Sequence, residues 1–222
     1  QDPYLSASEI TKVIEGSPLG KLFDKSTGVW EGYTLAEHTE AVLGMFEQHY
    51  ADRVPAELVG FFRTALFMHD IGKPLVRQGR FQNQYDANKH TTELVMQEIL
   101  GYNEAQTRLV TDLTNVGGKL FSDYIRFGKG QKELQAFVAR YAKQVFGEKS
   151  SGREAAVYSM LSLYYNCDAG AYTEKARYRK QGRMVRAIKS LDTVFEFAPD
   201  GMHRMRTAKS HLFPLPTARE RA

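Results

Sequence analysis

The sequence predicts an all-α fold for a single domain over residues 1–222. Nearly every stretch with regular apolar spacing has the period of an α-helix, and a convincing strand alternation is absent. Residues that favour helix N-termini, such as Ser6 and Thr34, directly precede such stretches, while Gly and Pro separate one stretch from the next. A chain of 222 residues without an internal repeat is long enough to bury a substantial core as one unit.

The expected helices follow one another along the chain. Ser6 and Glu9 have the spacing of a capping box before the first helix. Thr34 is the expected N-cap of a helix that carries His38 on its apolar stripe. The helix that begins near Pro55 is strongly apolar, so we expect it at the centre of the domain. After the first one, the expected helices span about residues 34–50, 55–69, 90–100, 104–116, 120–127, 132–146, 152–167 and 173–197.

Three stretches are expected to interrupt or end the helices. The polar residues 77–89 predict a long loop or lid, and the Gly-Gly pair at 117–118 predicts a break in the chain. The residues from Pro199 onward predict an extended tail. We therefore expect a domain core at about residues 30–170, followed by a basic helix and the tail over residues 171–222.

The composition bounds the class of protein. Hydrophobic residues make up 42% of the chain and charged residues 25%, which is typical of soluble globular proteins. No apolar run approaches the roughly 20 residues of a membrane span, so a membrane partner is not expected. The single cysteine, Cys167, cannot form an internal disulfide, which favours a reducing compartment such as the cytoplasm. The chain begins with Gln1 rather than an initiator methionine, which we interpret as trimming or as a piece of a longer protein.

The formal net charge of +4 is compatible with a phosphate-bearing substrate and weakly suggestive of nucleic acid. Five basic residues crowd into the stretch from Lys175 to Arg183. Two interpretations of this stretch are equally supported, namely phosphate recognition and an ordinary solvated helix face. On the first interpretation the candidate substrate-binding residues are Lys175, Arg177 and Arg179.

The most specific motif is the pair His69-Asp70 within the run LFMHDIGKP at residues 66–74. Adjacent His and Asp side chains can reach one ion only where a helix ends, and the following Gly-Lys-Pro predicts that turn. His38 lies on an apolar stripe, where an unsatisfied imidazole is costly, and Asp168 follows an apolar and aromatic helix. Two imidazoles and two carboxylates suit Zn, Mn, Co, Fe or Mg, so the set predicts one divalent metal site.

The order of these residues resembles the HD-domain superfamily of metal-dependent phosphohydrolases, and the resemblance covers about residues 30–170. The run at residues 69–74 is most similar to the HD domains of bacterial tRNA nucleotidyltransferases and poly(A) polymerases. The resemblance implies a helical bundle with the metal at its centre and with four ligands. It also implies that Lys73 contacts a phosphate or the water on the metal. The implied metal ligands are His38, His69, Asp70 and Asp168.

His90 is a further candidate, because two-metal members of the superfamily carry a histidine here and a second one about one helix later. The second histidine is missing, since the region from Thr111 to Gly118 contains Asp112 and Asn115 but no His. A di-iron oxygenase is therefore disfavoured. We favour one metal, with His90 as a proton donor or phosphate ligand, and the alternative is a surface histidine.

Two functions follow from this pattern. The first is a divalent-metal-dependent hydrolase that cleaves a phosphomonoester or phosphodiester of a nucleotide or nucleic acid, with Asp70, Lys73 and His90 as catalytic residues. The second is an accessory module that binds RNA or a nucleotide for a fused or partner catalytic domain. Retention of all four ligands favours the enzyme, because buried ligands without an ion are costly.

Overall fold

The computed structural model describes residues 4–26, 34–171, 193–198 and 201–206. These residues form an all-α domain, as predicted, followed by one short β-hairpin. The α-helices are α1 Ala7–Glu15, α2 Leu35–His49, α3 Ala56–Met68, α4 Lys73–Arg77, α5 Gln84–Leu94, α6 Glu104–Thr111, α7 Gly118–Phe127, α8 Gln131–Phe146 and α9 Glu154–Gly170. Short π-helical turns at Val95–Ile99 and Asp112–Gly117 extend α5 and α6. The hairpin strands are β1 Thr193–Ala198 and β2 Gly201–Arg206.

The capping residues begin the first helices where the sequence predicts. Ser6 caps α1 in a complete capping box with Glu9. Thr34 caps α2 in the same way, because its hydroxyl accepts from the amide of Glu37 and the Glu37 carboxylate accepts from the amide of Thr34. Both boxes satisfy amide groups that the first turn of a helix leaves without partners.

The core forms where α2, α3 and α9 pack against one another. α3 is deeply buried, with Phe62, Leu66 and Met68 each at most 2% exposed. α2 contributes Val42 and Phe46 from the stripe that also carries His38. The central position expected for the α3 segment is therefore confirmed.

The second half of the polar stretch at residues 77–89 is helical from Gln84 onward, so the prediction of a long loop is wrong. The connection after α4 is short, because Asn83 accepts a hydrogen bond from the amide of Asp86 and so begins α5 at Gln84. The expected helix start at His90 is thus six residues too late. The Asn83 cap, three residues before Asp86, is a start signal that outweighs the polar character of the segment.

The Gly-Gly pair at 117–118 does not break the chain, contrary to the prediction. The π-helical turn passes directly into α7, and both glycines have helical dihedrals. A Cβ on Gly117 would lie 2.6 Å from the Phe137 ring, and one on Gly118 would lie 2.6 Å from the Tyr164 ring. The glycines therefore allow close helix packing rather than a turn.

The prediction that the helix of residues 173–197 continues to its C-terminal end is also wrong, because residues 193–198 form β1. β1 pairs antiparallel with β2, from Thr193 opposite Arg206 to Ala198 opposite Gly201. Residues 201–206 of the expected tail are accordingly a strand, while the rest of the tail and residues 173–192 lie outside the described residues. Among the helices of the described part, none has both the length and the apolar character of a membrane span.

The turn after α3 carries the most specific sequence motif. α3 ends at Met68, and α4 begins at Lys73 with Pro74 in its first turn, which confirms the expected turn. Gly72 has ordinary helical dihedrals of φ −86° and ψ −11°. Its missing Cβ matters for a different reason, because that atom would fall on the backbone of Ala87 and Asn88 in α5.

Substitution Gly72→Ala is expected to destabilise the protein by about 2 kcal/mol or more, since the backbone of α5 cannot yield as a flexible side chain does. The matched control is Gly44→Ala in α2, where an added Cβ has no neighbour within 4 Å. That control should stabilise the helix by about 0.5–1 kcal/mol. Urea unfolding measures both values, and equal stability of the two variants would contradict the close approach.

Candidate metal centre

α2 supplies the first imidazole of the site. His38 lies one turn after Leu35 and one turn before Val42, and its side chain is 0% exposed. Its ring centroid is 4.9 Å from that of His69, with the planes tilted by 52°. A buried imidazole in this position needs a partner, because burial of a polar group without one is unfavourable.

The end of α3 and the end of α9 bring three further side chains to His38. The Nε2 atoms of His38 and His69 are 3.0 Å apart. Asp70 Oδ2 lies 3.1 Å from His38 Nε2, and Asp168 Oδ1 lies 3.4 Å from the same atom. All four ligand atoms lie within 4.8 Å of one another. The structure therefore brings together the complete ligand set predicted from the sequence, from three helices.

The hydrogen bond of His69 orients its ring toward the cluster. His69 Nδ1 lies 2.6 Å from the carbonyl oxygen of Leu66, so Nδ1 carries a proton and donates it. Nε2 is consequently the nitrogen that faces the other three groups. A backbone carbonyl on the second ring nitrogen is the usual way in which proteins orient a metal-binding histidine.

The four ligand atoms of the cluster fit a divalent cation. Asp168 Oδ1 is buried, and no N–H or O–H group of the described residues has hydrogen-bond geometry toward it. Two nitrogen and two carboxylate oxygen atoms converge there, which is a ligand set for borderline or hard divalent ions. His38, His69, Asp70 and Asp168 can thus hold a metal ion. The donor set does not select one ion among Mn, Co, Zn, Mg and Fe.

The ionisation of the cluster follows from its buried charges. Burial disfavours the charged form of His69, but the carboxylates of Asp70 and Asp168 outweigh burial and raise the pKa of His69 to about 10. Burial would raise the pKa of Asp70, yet the charges of Lys73 and His69 hold that pKa well below its ordinary value. Burial acts in the same way on Asp168, whose interactions with His38 and His69 lower its pKa.

Two amide side chains of α5 support the turn that carries His69 and Asp70, and sequence reasoning missed both. The Asn88 side chain donates to the carbonyl oxygen of His69 and accepts from the amide of Gly72 at 2.7 Å. The Gln84 side chain donates to Asp70 Oδ1 at 2.8 Å. Gln84 and Asn88 are one helical turn apart, so recognition of the Asn83 cap would have placed both on one face.

A polar cavity of about 210 Å³ opens beside His69, Asp70 and Asp168. Lys73 borders it from α4, where its Nζ atom lies 2.5 Å from Asp70 Oδ2. α7, for which the sequence predicted no site residue, also lines the cavity. The other residues that line the cavity are Gln84, Tyr85, Asn88, Thr114, Asn115, Gly118, Lys119, Ser122, Arg126, Tyr164 and Tyr165.

The remaining predicted site residues are His90 and three basic residues of the stretch that begins at Lys175. His90 is exposed on the outer side of α5, with its ring 5.5 Å from that of Phe81, and it does not line the cavity. Its catalytic role stays a prediction from the sequence. Lys175, Arg177 and Arg179 lie outside the described residues.

Comparison of the chain with protein-family models, with curated proteins and with solved structures finds no match. The HD-domain resemblance therefore rests on the sequence motif, and the site is interpreted from its own geometry.

The purified protein is expected to retain one divalent ion per chain, and His69→Ala is expected to lose it, because that change removes a central donor. His90→Ala is the matched control, since His90 is exposed and is not a member of the cluster. Elemental analysis after dialysis against Mn²⁺ or Zn²⁺ measures the content, and circular dichroism checks the fold. Equal metal content in the two variants would contradict the assignment of the site.

Metal binding should release about one proton per ion near neutral pH. His69, whose pKa is raised to about 10, carries a proton in the metal-free protein and must give it up to bind the ion. Below that pKa, the apparent affinity should therefore increase roughly tenfold for each unit by which the pH rises. Titration calorimetry in buffers with different ionisation enthalpies counts the protons, and a value near zero would show that His69 is already neutral.

Proposed function

We propose that this protein is a divalent-metal-dependent phosphohydrolase that acts on a phosphate of a nucleotide or nucleic acid. The observation that carries the proposal is the position of the four ligand atoms, which lie within 4.8 Å of one another at the edge of a polar cavity. Three basic residues, Lys73, Lys119 and Arg126, line the same cavity. A cation site together with basic side chains is complementary to a phosphoryl group.

A divalent cation held by the four ligands would polarise a phosphoryl oxygen and lower the pKa of a bound water. The chain itself supplies the electrostatic setting. Lys73 is only 11% exposed at its side chain and lies against Asp70, so its charge is fixed at the edge of the cavity. Fixed positive charge of this kind stabilises negative charge that develops on phosphoryl oxygens.

The four ligands differ in their access to the cavity. The side chains of His38, His69 and Asp70 are at most 4% exposed, whereas that of Asp168 is 26% exposed. Both oxygens of Asp70 are already in contact with other groups, Oδ1 with Gln84 and Oδ2 with Lys73. Asp168 is therefore better placed than Asp70 to accept a hydrogen bond from an entering water and to orient it.

The second function that the sequence predicts, an accessory module for RNA or nucleotide binding, makes a different prediction for the same protein. Such a module binds its ligand without turnover, and its catalytic partner lies in another domain or chain. The low pKa of Asp70 and the close Lys73 keep that carboxylate ionised, which favours its use as a ligand in either case. Turnover is the property that separates the two proposals.

The deciding experiment measures product release from nucleotides, cyclic nucleotides and short RNAs with Mn²⁺, Co²⁺, Zn²⁺ or Mg²⁺ added. The proposal expects turnover by the wild type and a loss of about a hundredfold or more in Asp70→Asn, which keeps the side-chain volume but removes a ligand charge. Asp24→Ala, at an exposed carboxylate outside the cavity, is the matched control and should retain full activity.

Three outcomes separate the functions. Turnover that disappears in Asp70→Asn alone supports the hydrolase and identifies the substrate class. Turnover that survives in Asp70→Asn contradicts a role for the cluster in the reaction. Ligand binding without any turnover, in protein with a full metal content, favours the accessory module instead.

A further inference from the structure

α7 presents one polar face to the cavity. Gly118, Lys119, Ser122 and Arg126 all line it, and their spacing along the helix places them on one side. The turn that carries Asp70 and Lys73 lines the same cavity. The lining of the cavity thus combines two sets of residues, the metal ligands His69, Asp70 and Asp168 and the α7 cations Lys119 and Arg126, which we call its two walls.

Arg126 differs from the other two cations of the cavity in its partners. Lys73 lies 2.5 Å from Asp70 Oδ2, and Lys119 lies 2.6 Å from Asp123 Oδ2. No carboxylate of the described residues forms an ion pair with Arg126, and its buried Nε atom has no acceptor among them. A buried guanidinium N–H without an acceptor is costly, which indicates a place for an anionic ligand.

Two tyrosines of the cavity lining lie within electrostatic range of both Arg126 and a ligand carboxylate. Tyr85 interacts electrostatically with both Arg126 and Asp70. Tyr165 interacts with both Arg126 and Asp168. Arg126 and the carboxylates of Asp70 and Asp168 line the same small cavity.

We propose that Arg126 binds a second anionic group, a phosphate or a carboxylate, of a compact substrate whose first phosphate lies at the metal centre. The inference rests on the proposed function, which it deepens by naming the substrate class. The planar guanidinium can hold two oxygens of one anionic group, which gives orientation as well as affinity. Lys119 contributes less, because Asp123 already neutralises its charge.

The size of the cavity supports a compact substrate. Its volume of about 210 Å³ is below the roughly 300–1,000 Å³ that is usual for small-molecule sites. Two anionic groups that occupy both walls must therefore be close together in the ligand. The second of these groups would supply the acceptor that Arg126 Nε lacks among the described residues.

The test uses three non-hydrolysable ligands of similar length with the metal-loaded full chain. Propylphosphonate carries one anionic group, phosphonopropionate adds a carboxylate, and propylenebisphosphonate adds a second phosphonate. Wild type is expected to bind the better of the two doubly anionic ligands about tenfold or more tightly than propylphosphonate, and their comparison distinguishes carboxylate from phosphate. Titration calorimetry supplies the affinities, and elemental analysis confirms that each variant retains its metal.

Arg126→Gln should abolish this preference while it changes propylphosphonate binding by less than about threefold. Arg126→Lys keeps the positive charge but loses the planar guanidinium that can hold two oxygens, so it should retain part of the preference. Arg108→Gln is the matched control, because Arg108 is largely exposed on α6 and does not line this cavity. It should behave as wild type.

The failures of the two proposals are distinguishable. A preference that persists in Arg126→Gln overturns the second site, as does an equal loss for all three ligands, which would place Arg126 on the same phosphate as the metal. Failure of metal-loaded wild type to bind any phosphonate overturns the proposed function, and the inference falls with it.

Discussion

The burial of two carboxylates and two imidazoles within 4.8 Å of one another is the constraint on which the site and its surroundings depend. Buried charge is tolerated only where neighbouring groups compensate it. Lys73 supplies a positive charge to Asp70, Gln84 donates to the same carboxylate, and the Leu66 carbonyl fixes the ring of His69. These neighbours come from three successive elements, so the cluster and the packing of α3, α4 and α5 depend on each other.

The contact between α5 and the turn after α3 holds two of the four ligands, His69 and Asp70, in place. Asn88 holds both sides of the turn, through the His69 carbonyl and the Gly72 amide. Such a contact requires the α5 backbone to approach the turn more closely than any side chain at position 72 would allow. The position at which α5 begins is therefore part of the site, because it places Gln84 and Asn88 one turn apart against His69 and Asp70.

The sequence predicts well the features that local patterns determine, and less well those that depend on contacts between distant segments. The ligand set was predictable, since a histidine on an apolar stripe and a His-Asp pair at a helix end are local signals. Gly128 and Gly130 separate α7 from α8 with positive φ angles, as a local interpretation of glycine expects. Gly72, Gly117 and Gly118 instead have helical dihedrals and make room for another segment, which no local pattern reveals.

The same close approach at Gly118 connects the two walls of the cavity. Tyr164 occupies the space that a side chain at position 118 would fill, and its ring lies edge-on to His69 at 6.3 Å. α7 can therefore lie close enough to the cluster for Arg126 to share the cavity with the ligand carboxylates. A larger residue at position 118 would clash with the Tyr164 ring and so disturb the packing of α7 against α9. On the proposed function, cation binding and anion binding would thus involve different helices, and the small residue at position 118 lets α7 pack closely against α9.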